Sequence, residues 1–167
     1  MNPQIVKEQE TMNATTINAP AGTPFVEVTR EFDATPAQLF RITTDPDLIA
    51  QWLGPRGIDM TVEKYDVRSG GSYRYLHHDE NGEYAFRGVF HTVEQDKYVV
   101  QTFEWEGAPG EVCLEKATYE PTETGVRLHQ RSVFQSVESR DAFVESGMET
   151  GINDSMDRLA ELIAKEG

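Results

Sequence analysis

The sequence predicts an α+β fold: one antiparallel sheet of six or seven strands laid against a long C-terminal helix, with two short helices after the first strand. Three observations predict it. Between Ser139 and Lys165 the apolar or small residues Phe143, Gly147, Met148, Gly151, Ile152, Ser155, Met156, Leu159, Leu162 and Ile163 recur every three or four positions, and charged residues sit mostly between them. This is one amphipathic helix with a broad apolar stripe. At about 1.5 Å per residue it predicts a rod of roughly 40 Å, which needs a large apolar partner. Upstream, segments between Phe25 and Phe134 alternate apolar and polar residues, as half-buried strands do. Short turns join the later segments, so their pairing is antiparallel and not of the crossover kind.

Residues 1–23 are polar, threonine-rich and interrupted by prolines, and are expected to form a loose arm, with a short strand near Ala14–Ile17 available to a sheet edge. From Phe25 to Phe32, Val26, Val28 and Phe32 point one way; Arg30 falls on the same side, where it needs either a carboxylate partner or the open end of a cavity. Thr35-Pro36 opens a helix with threonine as cap and proline in the first turn. Asp45-Pro46 repeats the signal for a second helix to about Trp52, stopped by Gly54-Pro55. Strands follow at Met60–Val67, Ser72–His78, Tyr84–Val93, Tyr98–Glu106, Val112–Glu120 and Val126–Phe134. Asn81-Gly82 reads as a tight hairpin turn built on positive φ angles. With the opening strand this makes seven strands, linked in a way compatible with a meander.

Composition narrows the function. A chain of 167 residues fits one domain with its own core. Its 29 acidic and 15 basic side chains give a net charge of -14, which repels phosphate backbones and anionic membranes, so nucleic-acid binding is not expected. The single cysteine, Cys113, excludes an intrachain disulfide and a cysteine-based zinc cluster, and it reads as a small apolar filler. No apolar run approaches a membrane span, and the amino terminus lacks a signal-peptide pattern; membrane insertion is not expected and a cytoplasmic location is. His77 and His78 face opposite sides of one strand, no zinc-type spacing occurs, and no serine sits on a nucleophile elbow. No catalytic residue, metal or cofactor is therefore nominated.

Three stretches carry a resemblance to a known family. They are REFDATPAQLFRITTDPDLIAQWLGP from Arg30 to Pro55, VRSGGSYRY from Val67 to Tyr75 with FRGVF at Phe86–Phe90, and GINDSMDRLAELI from Gly151 to Ile163. Over residues 25–165 the chain resembles the START-like, or polyketide-cyclase-like, superfamily, in the branch named after the activator of the heat-shock-protein ATPase. The resemblance implies the helix-grip fold, a curved sheet wrapped around the C-terminal helix, as a single domain over residues 24–167. It implies a space between sheet and helix that takes an apolar molecule. It also raises a stress-linked, chaperone-regulating role and, in the wider superfamily, cyclase-like enzymes on aromatic or polyketide-like substrates. Ile152 stands where the family often has tryptophan, which reshapes any cavity.

On that frame, strand parity nominates the lining: Tyr73 or its neighbour Arg74, Phe86, Phe103, Trp105 and Leu128 on the sheet, Trp52 at the mouth, and Met148, Ile152 and Met156 on the helix. The alternative for each is ordinary core packing. Arg30, Arg74, His77, Gln101 and Gln130 are the polar candidates, with Arg30 and Gln130 suited to a ligand carboxylate or hydroxyl. Three functions compete: binding of a small hydrophobic or amphipathic ligand, a protein-interaction role, and an enzyme. The sequence leaves monomer and homodimer both open.

Overall fold

Strand β2 (Phe25–Phe32) lies beside the last strand, β8 (Val126–Val133), not beside the next one in the chain. A computed structural model of the protein describes residues 14–166; the expected loose arm falls largely on residues outside the described ones. In the sequence, β2 and β8 are separated by β3 (Asp59–Tyr65), β4 (Ser72–Asp79), β5 (Gly82–Glu94), β6 (Tyr98–Trp105) and β7 (Val112–Pro121), and a short β1 (Thr16–Asn18) pairs with the other edge of β2. The order β1-β2-β8-β7-β6-β5-β4-β3 gives eight strands, every pair antiparallel, in a curved and unclosed sheet. Only β3 to β8 form a meander. The chain crosses from β2 to the far edge of the sheet through two helices, α1 (Pro36–Thr44) and α2 (Pro46–Ile49).

Local chemistry accounts for these helices. Thr35 Oγ1 accepts from Gln38 N at 3.1 Å while Gln38 Oε1 accepts from Thr35 N at 2.9 Å, a reciprocal capping box, and Pro36 occupies the first turn. Asp45 ends α1 and, accepting from Asp47 N at 2.8 Å, caps α2. The α2 helix stops at Ile49, short of the expected Trp52.

Two expectations are corrected. The C-terminal rod is two helices, α3 (Val137–Glu145), capped by Ser136, and α4 (Met148–Glu166). Gly147, at φ 91°, separates them in a conformation that glycine adopts at no steric cost, so α4 is only about 28 Å long. The β4–β5 hairpin does not use Asn81 at positive φ. Its loop residues are Glu80 and Asn81, Asp79 Oδ1 accepts from Asn81 N at 2.8 Å, and only Gly82 (φ 140°) leaves the usual region.

Bulges at Glu63 and His91 shift the register of β3 and β5, so that Val62 and Tyr65, like Phe90 and Val93, share the helix-facing side of the sheet. That side makes the core. Phe32, Tyr73, Tyr75, Phe90, Val99, Tyr119, Val126 and Leu128 meet Leu39 and Ile42 of α1 and Met156, Leu159, Leu162 and Ile163 of α4. A smaller cluster joins Val26, Val28 and Met148 to Phe134 and Phe143. Ile152 touches both.

Candidate functional site

Side chains of α4 bind the backbone of the loop after α2. Ser155 Oγ accepts from Gly54 N at 2.8 Å and donates to Gly151 O at 2.8 Å. Arg158 donates to Gly54 O at 3.0 Å and Gln51 O at 3.1 Å; Arg56 N donates to Asp154 at 3.1 Å, and its guanidinium pairs with Glu161. Gly54 sits at φ 101° against the His77 ring, where a Cβ would lie 2.7 Å from Cε1. Only glycine fits there. His77 is buried beside Tyr75 and Phe86, its Nε2 has no partner among the described residues, and burial, then the nearby Arg158 charge, lowers its pKa. Trp52 is buried in the main core, and among the described residues its indole N–H has no partner.

Beyond that closed end, the helix-facing wall is aromatic. Tyr73 stacks on Tyr75 (6.0 Å between ring centres), Tyr75 on Phe86 (5.3 Å) and Phe86 on Phe103 (5.4 Å). The Tyr73 hydroxyl donates to Thr102 O at 2.5 Å. Next to this wall, register lines up Gln101 of β6, Glu115 of β7 and Ser132 of β8 in one row. Gln130 lies two residue pairs further along on the same face, opposite Ala117 and Val28. Ser132 Oγ donates to Glu115 Oε2 at 2.7 Å. Burial pushes the Glu115 carboxyl above the ordinary carboxylate range, and hydrogen bonds from Ser132 and Gln101 draw it part of the way back. Among the described residues no cationic side chain forms an ion pair with Glu115.

The nominated residues divide. Tyr73, Phe86 and Phe103 stand together in the wall, and Leu128 is buried in the main core opposite Tyr119 and Arg30. Gln130 is half-buried on the same face. On α4, Met148 and Met156 are buried in different clusters and Ile152 is half-buried between them. Trp105 shares the wall's parity but ends β6, is 44% exposed and folds over Gly107. Arg30 bonds Asp157 of α4 at 2.7 Å and Thr15 at 3.1 Å, the carboxylate-partner alternative for an arginine on that side. Arg74 lies on the outer face, held by Glu63 and Glu106. Cys113 is buried and burial raises its thiol pKa. Sequence reading passed over Glu115, although its parity with Cys113 and Tyr119 marked it as inward. Among the described residues no group of His, Cys, Asp or Glu is arranged to hold a metal ion, and no helix is long and apolar enough to cross a membrane.

The model of the family described as "Activator of Hsp90 ATPase homolog 1-like protein" matches residues 33–164. The chain belongs to this family. The matched span holds both halves of the Gly54–Ser155 contact and the whole aromatic wall of the activator-homolog domain. Solved structures agree on the fold. A protein from Rhodobacter sphaeroides is 26% identical, with 90% of this chain and 99% of that one covered at a TM-score of 0.83. Protein Ms6760 from Mycobacterium smegmatis is 20% identical, with 89% and 96% covered at 0.81. A protein from Arthrobacter aurescens is 23% identical, with 90% and 91% covered at 0.82. No curated protein matches the chain.

Proposed function

We propose that this activator-homolog domain binds a small hydrophobic or amphipathic molecule between its sheet and α4. One observation carries the reading. Phe86, Gln101, Phe103, Glu115 and Gln130 face the helix from central strands, yet all remain half-buried. A filled helix-on-sheet seam shuts such positions, as it does Phe90 (1% exposed) and Leu159 (0%) a short distance away. Aromatic faces beside a few convergent polar groups are the usual composition of a small-molecule site. Tyr73, Phe86, Phe103 and Leu128 supply the wall, Ile152 and Met156 the roof, and Gln130 a polar contact. Native mass spectrometry of protein purified without detergent tests this, with a retained apolar adduct expected. Titration with the neutral dye Nile red is the second measurement. Saturable binding by wild type, abolished in Ile152→Trp with no loss of melting temperature, supports the reading. A dye that never saturates, with Ile152→Trp unfolding the protein, overturns it.

A second reading, docking of a protein partner, is favoured by the outer face. Val89, Leu114 and Val133 are exposed there; Leu114 pairs with Val133, and Thr102 joins Leu114 to Val89 through its bond to Val89 N. Leu114→Asp leaves dye binding intact and abolishes partner capture if this reading holds.

A further inference from the structure

The site proposed above contains one carboxyl group, Glu115, that no side chain among the described residues neutralises. Glu115 takes a hydrogen bond from Ser132, and among the described residues no arginine, lysine or histidine pairs with it. By contrast, Arg30, Arg74, Arg87 and Arg127 each have a carboxylate partner, all of them at the helix seam or on the outer side of the sheet. A carboxyl drawn out of water without a cation is costly, and the cost is recovered when a cation arrives. Glu115 is not sealed in: it is half-buried, on the same face as the half-buried Phe86 and Phe103. Its charge also reaches the Tyr73 and Tyr75 hydroxyls, which places the aromatic wall within its field. Ring faces attract cations, and a carboxylate beside a row of them is a two-part receptor for an ammonium group. The net charge of -14 acts in the same sense, since it draws cationic molecules toward the protein and repels anionic ones.

From the unpaired Glu115 beside the Tyr73–Phe103 wall, we infer that the site takes an amphipathic amine. This rests on the reading of the previous subsection. The ammonium hydrogen-bonds to Glu115, with the Gln101 and Gln130 amide oxygens as further acceptors, and the hydrocarbon part lies along Phe86 and Phe103 under Ile152. An anionic amphiphile such as a fatty acid is rejected, because it would place a second negative charge beside the first.

The test is competition against Nile red at pH 7.5 by octylamine, octanol and octanoate, each below its micellar range. Octylamine is expected to displace the dye at a concentration at least about tenfold lower than octanol, and octanoate to be weakest. Glu115→Gln, which keeps the shape and removes the charge, is expected to erase the amine advantage, read as the ratio of octylamine to octanol displacement. The advantage should persist in about 0.5 M salt, where surface charge is screened and a buried contact is not. Octanol equal to octylamine in wild type overturns the inference by itself, whether or not the variant folds. So does an amine preference that survives Glu115→Gln or disappears in salt, because the surface field would then be its source. Nile red binding displaced equally by all three leaves the pocket standing and removes the amine. No dye binding at all removes both.

Discussion

Ser155 and Gly54 are joined across the fold: the serine hydroxyl accepts from the Gly54 N–H at 2.8 Å and itself donates a hydrogen bond to Gly151 O. A helix residue thereby satisfies a buried donor in the loop that closes one end of the sheet. Ser155→Ala removes the acceptor and leaves that N–H without a partner. The expected loss is about 1–3 kcal/mol, read from urea denaturation at constant m-value. A loss no larger than that of an exposed serine would show that water replaces the hydroxyl.

Glu115 makes stability depend on pH with a definite sign. Its folded pKa is raised, so its contribution is complete below the unfolded value near 4.5 and is lost as pH rises through the folded value. Glu115→Gln should therefore melt higher than wild type at neutral pH, with the difference vanishing toward about pH 4. Thermal melts across that range check it. A variant that is less stable at neutral pH would mean the carboxylate is fully compensated in place.

His77 acts in the opposite direction. Burial depresses its folded pKa, so its contribution is present above the unfolded value of about 6.5 and is lost as pH falls. Wild type should lose stability as pH falls below about 6.5, and His77→Phe, which keeps a ring against Tyr75 and Phe86, should flatten that slope. Paired melts of the two proteins at each pH separate this effect from general acid destabilisation.

Trp105 should matter less than its size suggests. A buried tryptophan costs about 3–5 kcal/mol on truncation, but this one is 44% exposed and rests on Gly107. Trp105→Ala is expected to cost under about 2 kcal/mol. Intrinsic fluorescence should also blue-shift in the variant, because Trp52, the other tryptophan, is buried.

Strand alternation and turn residues made most of the sheet legible, because each inward residue here answers to one neighbour on each side. The Thr35 and Asp45 caps were equally readable, being local chemistry. What escaped was non-local or depended on a single angle. Gly147 fits an apolar stripe by spacing, and only its backbone conformation divides α3 from α4. The partnership of β2 with β8 leaves no mark in either segment, since both alternate as any strand does. Parity read Trp105 as inward and said nothing of its place at the strand's end, where it is 44% exposed. Glu115 is one of many glutamates in an acidic chain, and what distinguishes it is the company of Gln101 and Ser132 on the two flanking strands, which depends on a pairing register that no single segment carries.

The β2–β8 pairing has a consequence for synthesis. When β2 leaves the ribosome its partner has not been made, and at about 5–20 residues per second the wait lasts several seconds. During it, Val26, Val28 and Phe32 have no lasting cover. A nascent chain stalled before Val126 should therefore recruit chaperones, and release from them should follow the emergence of β8.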